Sequence, residues 1–190
     1  MEKIHKHGGK SSENLLDKNI IIKALKIHPG QNILDAGCGN GYMSKEFAKL
    51  VGSAGKIYAI DAYEESIKQL KSETDYGNMA VMLGDITKKT EIEDSSIDLI
   101  YLSMVFHGFT SSQRVSFLNE VKRILKPGGI LAIVEINKGD TPFGPPTDVR
   151  VSPEEMAEKV RLDKETLIKI GDYFYMQTFI HSHQIKLKNI

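Results

Sequence analysis

Residues 32–50, NILDAGCGNGYMSKEFAKL, constrain the chain more tightly than any other stretch. A short apolar run ends in a carboxylate, Asp35, and glycine then recurs at every second position, at Gly37, Gly39 and Gly41. From Tyr42 the apolar spacing turns helical, with Met43, Phe47, Leu50 and Val51 on one face. This predicts a buried strand, a glycine turn and a helix. Because glycine lacks a side chain and accepts positive φ, such a turn lets backbone N–H groups come close to a ligand. The stretch therefore marks a ligand site before it names the ligand.

The same unit recurs along the chain. A second strand, residues 56–60 (KIYAI), ends at Asp61, and Tyr63, Ile67 and Leu70 give the next helix an apolar stripe. Asp61 stands roughly two dozen positions after Gly37, near the spacing at which an acidic residue meets ribose hydroxyls in nucleotide-binding βαβ units. Strand three, residues 79–83, runs into Gly84, Asp85 and Ile86, another acid at a strand's end. A polar turn at 88–96 leads to strand four, 97–102, and then to SMVFHGF at 103–109. A helix over 112–125, with Val115, Leu118, Val121 and Leu125 on one side and Arg114, Glu120, Lys122 and Arg123 turned outward, precedes Pro127-Gly128-Gly129 and strand five, 130–136.

Ahead of this core, Leu15, Leu16, Ile21, Ile22 and Leu25 predict an amphipathic helix over 12–27, capped by Ser12 and ended by His28-Pro29-Gly30. Behind it, the Gly/Pro/Thr-rich residues 137–149 form a loop too long for a connector, a candidate substrate cover. Ser152-Pro153-Glu154-Glu155 is a helix start. That helix, or helix pair, is expected to reach about residue 170, where Gly171 stops it. Residues 173–180 and 184–188 read as two final strands joined by a turn at 181–183. Strand and helix alternate as in a parallel sheet with helices on both faces.

With 190 residues and 41% apolar content, one domain over 1–190 is expected. Its parts are a lead-in and helix at 1–30, a ligand-binding core at 31–136 and a substrate-side region at 137–190. The 25 basic and 25 acidic residues cancel, which argues against a dedicated nucleic-acid or anionic-membrane surface. No run approaches a membrane span and MEKIHKHGGK has no hydrophobic signal core, so a cytoplasmic protein is the default. The GGKS at 8–11 fails as a phosphate loop: the earlier glycine it needs falls on Ile4 and no strand precedes it. Residues 1–11 read instead as a lead-in or a lid.

Glycine spacing decides between two nucleotide readings. A dinucleotide fingerprint, G-x-G-x-x-G, needs glycine at position 42, where Tyr42 would meet the pyrophosphate. The pattern present is D-x-G-x-G-x-G. With ILDAGCGNG, IYAID, GDI, IDLIYLSMVFHGF and LKPGGILAIVEI in that order over 32–135, the chain resembles the class I S-adenosylmethionine-dependent methyltransferases. It is most similar to the small ubiquinone/menaquinone-biosynthesis type, and the tail GPPTDVRVSPEEM resembles a segment found after strand five in relatives of that type.

The resemblance implies a three-layer, Rossmann-like α/β fold with a seven-stranded sheet, mostly parallel, whose last strand is antiparallel. It also implies S-adenosyl-L-methionine as cofactor, S-adenosyl-L-homocysteine as product and a small-molecule methyl acceptor. Gly37, Gly39 and Gly41 would line the methionine and ribose, with Asp35 orienting the turn. Asp61 would accept the ribose hydroxyls, Ala62 and Ile86 would flank adenine, Asp85 would accept its amino group, and Ser103 and Met104 would lie near the methionine end.

Methyl displacement asks for alignment and exclusion of water more than covalent help. An acceptor that loses a proton needs a base, and His107, on the loop after strand four, is the candidate; the alternative is that it packs beside Phe106 and Phe109. Cys38, the lone cysteine, reads as a packing residue, and no metal site is expected from His5 with His7 or His181 with His183. Tyr173 and Tyr175 read as strand residues. Arg150 is left between an acidic substrate and Glu154 or Glu155. No large insertion forms a cap, so selectivity is expected from the first 30 or so residues and the loops at 103–109 and 137–149. Rival readings are a nucleic-acid or protein methyltransferase, a catalytically silent S-adenosylmethionine-binding protein, and an NAD-dependent oxidoreductase.

Overall fold

The computed structural model describes residues 15–182. Thirteen elements follow one another: α1 (Lys18–Leu25), β1 (Asn32–Ala36), α2 (Tyr42–Val51), β2 (Lys56–Asp61), α3 (Glu64–Glu73), β3 (Met79–Leu83), β4 (Ile97–Ser103), a 3-10 turn (Phe106–Gly108), α4 (Ser111–Ile124), β5 (Leu125–Ile136), α5 (Pro153–Val160), β6 (Asp163–Ile170) and β7 (Phe174–Ile180). The strands form one seven-stranded sheet in the order β3-β2-β1-β4-β5-β7-β6. The strands from β1 to β5 pair in parallel, and β7 runs antiparallel between β5 and β6. After β3 the chain returns to the far side of β1, so the strand order reverses between β1 and β4. In open α/β sheets ligands bind at such a switch point, outside the strands' carboxyl ends.

Apolar side chains cover both faces of the sheet, which is why its central strands read as near-continuous hydrophobic runs. On one face Ile33, Ile57, Leu99 and Tyr101 pack with Ile21 of α1 and Met43, Phe47 and Val51 of α2. On the other, Leu34, Ile100, Leu102, Leu131 and Ile133 pack with Phe117, Val121 and Ile124 of α4 and Met156 and Val160 of α5. Every one of these residues is at most 5% exposed.

Several element boundaries depart from the sequence pattern. The helix α1 starts at Lys18, where Asp17 caps it by accepting the N–H groups of Asn19 and Ile20; Ser12 lies outside the described residues, as do the expected lead-in at 1–11, His5, His7, His183 and the expected strand at 184–188. Helix α4 is rotated from the expected face: Phe117, Leu118, Val121 and Ile124 are buried, while Val115 is 60% exposed. Glu120, expected outward, is buried because its carboxylate holds Thr90 and Arg123. The helix opened by Ser152 stops at Val160, since Arg161 turns left-handed at φ 53°. What was read as its continuation is β6, and the β6–β7 hairpin turns at Gly171-Asp172-Tyr173; the turn expected at 181–183 runs into residues outside the described ones. Leu83, Leu167 and Tyr173 are exposed at the sheet's margins. Among the described residues no helix is long and apolar enough to cross a membrane.

Candidate functional site

The carboxyl ends of β1, β2, β3 and β4 bring Asp35, the glycine turn, Asp61, Asp85 and Ser103 to one rim of the sheet. Gly37 and Gly39 have φ of 76° and 52°, in the left-handed region. Their surroundings separate them. A Cβ on Gly37 would stand 2.6 Å from Cγ2 of Val105, whereas one on Gly39 would meet nothing within 4 Å. Gly37 is thus a packing glycine under the strand-four loop, and Gly39 faces open space. Gly41 caps α2, and its α-carbon lies under Leu70.

The turn is tied to β2 twice. The N–H groups of Gly37 and Cys38 donate to the Ile60 carbonyl at 2.8 and 3.0 Å, and the Gly39 N–H donates to Oδ2 of Asp61 at 2.8 Å. Oδ1 of Asp61 accepts the Tyr63 N–H, also at 2.8 Å. Two backbone donors therefore set the orientation of the Asp61 carboxylate. Ala62 beside it is exposed. Beneath the turn Asp35 is 3% exposed and accepts the Ser44 hydroxyl at 2.5 Å. Burial pushes its carboxyl up to about 7 against the opposing Ser44 hydrogen bond, and the charge of Asp61 adds to the rise. Cys38 is buried and burial raises its thiol, so it is a packing residue and no thiolate nucleophile.

Asp85 follows β3 and its Oδ1 accepts both the N–H and the hydroxyl of Thr87, at 2.9 and 2.6 Å. Lys88, largely solvated, approaches Oδ2 at 3.9 Å. Ile86 is 5% exposed. With Ile60, Met82 and Gly84, Asp85 borders a cavity of about 410 Å³ whose mouth carries Lys71, Lys88 and Lys89. A larger cavity, about 570 Å³, lies between Lys49, Lys56, Tyr76 and Asn78. That one sits at the amino ends of β2 and β3, away from the switch point.

On the far side of the turn, Met104 holds φ 59° with its N–H on the Val134 carbonyl. A non-glycine residue in this region stores strain of order 1 kcal/mol and persists only where its surroundings hold it. His107 follows on the 3-10 turn with a side chain 2% exposed; its Nδ1 lies 2.7 Å from Oε2 of Glu135, and its N–H donates to Oε1 at 3.1 Å. The structure thus gathers Asp35, the glycines, Asp61, Asp85 and Ser103 at the strand ends, whereas the His107 side chain is buried against Glu135 of β5.

Three participants were not read from sequence. Glu135 is a carboxylate inside the apolar run ILAIVEI, and Ser44 a hydroxyl on the buried face of α2; in each case a polar residue at a core position was the available signal. Val105, which covers Gly37, carried none. Arg150 meets neither Glu154 nor Glu155. Buried at 6% exposure, its guanidinium donates to the carbonyls of Asn137, Gly139, Phe143 and Pro145. Phe143 in turn stacks on Phe174 and meets Tyr173 edge-on. Tyr175 is buried in β7, and His181 hydrogen-bonds the Leu125 carbonyl.

The glycine turn does not suit a pyrophosphate. Tyr42 opens α2 where a dinucleotide site needs glycine, and its N–H is already held by Oδ1 of Asn40. It does suit a nucleoside without phosphate: close backbone, open space above Gly39 and a set carboxylate at Asp61.

Comparison with known proteins agrees with this geometry. The structure superposes with a TM-score of 0.81 on the crystal structure of a SAM-dependent methyltransferase from Aquifex aeolicus, at 27% identity, covering 90% of this chain and 93% of that one. A ubiquinone/menaquinone biosynthesis C-methyltransferase from Hydrogenovibrio crunogenus is 31% identical over 130 residues, 66% of this chain and 50% of that protein. A protein-L-isoaspartate O-methyltransferase from Methanococcus maripaludis is 37% identical over 87 residues, 44% of this chain and 41% of that protein. The chain thus spans half or less of the length of these two relatives. A family profile described as "Methyltransferase domain" matches residues 27–185, and the chain belongs to that family.

Proposed function

We propose that the chain binds S-adenosylmethionine at the carboxyl ends of β1 to β4 and transfers its methyl group to a small-molecule acceptor, leaving S-adenosylhomocysteine. Asp61 is the observation that carries this reading. Each of its oxygens accepts one backbone N–H, and a carboxylate oxygen has capacity for another. It can therefore take a pair of ribose hydroxyls without releasing the glycine turn. Asp85, with Oδ1 held by Thr87, would offer Oδ2 to the adenine amino group, with Ala62 and Ile86 flanking the base. Gly39 allows the close approach, Gly37 and Gly41 shape the turn beneath Val105 and Leu70, Asp35 steadies it from below, and Ser103 and Met104 close the methionine end.

When bound, S-adenosylmethionine supplies a methyl group on a sulfonium that departs as a neutral thioether. The residues of the chain then have to align the acceptor and keep water out. The acceptor wall is the 137–149 loop, drawn around Arg150 and carrying Phe143. His107 is the base assigned to an acceptor that loses a proton; with Nδ1 on Glu135, Nε2 is the ring atom that would take it. His107→Ala with wild-type turnover at neutral pH removes that assignment.

Calorimetry with S-adenosylhomocysteine, followed by measuring its release from S-adenosylmethionine across a panel of acceptors, tests the proposal. The panel includes isoaspartyl peptides, because one relative is named for that protein substrate. Turnover confined to the peptides would replace the small-molecule acceptor with a protein. Failure to bind at millimolar concentration, or binding of NADH in its place, overturns the reading.

A further inference from the structure

A carboxylate removed from water is costly unless its oxygens are satisfied, and Glu135, at 0% exposure, satisfies both of its own on one residue. Oε1 accepts the His107 N–H and Oε2 meets the His107 ring at Nδ1. One step earlier on the same strand, the Val134 carbonyl accepts the Met104 N–H. Strand β5 thus grips the loop after β4 at both ends of its first turn. Between those anchors lie Met104, held at positive φ, and Val105, whose Cγ2 covers Gly37. On its other side β5 sets Glu135 opposite Tyr175, whose hydroxyl donates to the Val151 carbonyl at 2.6 Å, next to Arg150.

We propose that Glu135 is a positioning residue of the site: through His107 it holds residues 103–109 over the glycine turn in the shape that closes the methionine end of the cofactor pocket. The proposal rests on the cofactor reading above for its consequence but not for its geometry. The anchoring is made of protein groups alone, so it can be tested with and without ligand. Glutamine at 135 keeps an acceptor for the His107 N–H and offers an N–H to Nδ1, which the other imidazole tautomer accepts. Methionine fills a similar volume with no acceptor, and because it leaves the His107 N–H and Nδ1 without their partner it lowers stability as well, so a second variant accompanies it.

The experiment measures amide exchange of residues 103–109 in the ligand-free protein and S-adenosylhomocysteine affinity by calorimetry, for the wild type, Glu135→Gln and Glu135→Met. Expected are exchange and affinity near wild type in Glu135→Gln. In Glu135→Met exchange at His107 rises and affinity falls, each by about tenfold or more, the scale of hydrogen bonds to a charged group. Should Glu135→Met fail to fold, His107→Leu removes the ring contact to Oε2 while the main-chain N–H to Oε1 stays, with His107→Asn as its conservative partner. A folded Glu135→Met protein with a lower Tm but unchanged exchange and affinity makes Glu135 a core residue only and overturns the proposal. A wild type that binds no S-adenosylhomocysteine overturns the cofactor reading alone, while the ligand-free exchange still decides the anchoring.

Discussion

At the scale of single residues, the glycines and carboxylates of the rim separate by what surrounds them. Alanine at Gly37 adds left-handed strain, of order 1–2 kcal/mol, to a collision with Val105, so Gly37→Ala should lower Tm markedly. Gly39→Ala carries only the strain but puts a methyl where the cofactor is proposed to lie. Thermal unfolding and calorimetry together should show it milder in stability and more severe in S-adenosylhomocysteine affinity. Asp61→Ala should weaken that affinity by about 1.5–3 kcal/mol, and unchanged affinity removes Asp61 from the site. Asp35 supplies a pH signature. Its carboxyl, raised from 3.8 to about 7, holds its proton more tightly folded than unfolded. Stability is therefore lost as pH rises between those values, by on the order of 4 kcal/mol at most, and the penalty is complete above pH 7. Asp35→Asn, which keeps an acceptor for Ser44, should narrow or reverse its stability deficit relative to wild type as pH is raised from 4 to 8 in ligand-free thermal melts. The acids at strand ends were legible because strand and turn patterns place them. Glu135 and Ser44 were visible only as polar residues at core positions, since their partners lie 28 and 9 residues away.

At the scale of elements, local pattern located the start of α5 better than its stop. Ser152 caps α5 with a capping box, as the sequence reads, but the stop at Arg161 has no glycine to announce it. DKETLIKI then becomes strand β6 because β7 offers it an antiparallel partner, while seven of its eight residues stay at least partly exposed. The loop at 137–149 was legible as a long irregular segment by length and composition. Its shape was not, because it depends on one guanidinium finding four carbonyls. Arg150→Ala should leave those carbonyls without their donors, costing about 1–3 kcal/mol, and speed proteolysis within 137–149. Equal cleavage rates would show that the loop holds its form without Arg150.

For the whole molecule, binding at the switch point should stabilise the fold it depends on. S-adenosylhomocysteine at about 100 times its Kd should add about 2.7 kcal/mol, which for a chain of this size raises Tm by roughly 5–10 °C. A shift with NADH and none with S-adenosylhomocysteine would reverse the ligand assignment. The sequence by itself determined the alternation of strand and helix, the parallel sheet and the acids that end β1, β2 and β3, because burial on two faces writes a period into the chain that needs no partner to be read. Only the tertiary structure decided that Glu135 meets His107, that Arg150 closes on its own loop and that β6 is a strand. Those outcomes depend on hydrogen bonds between segments distant in sequence, whose register is set when the sheet assembles.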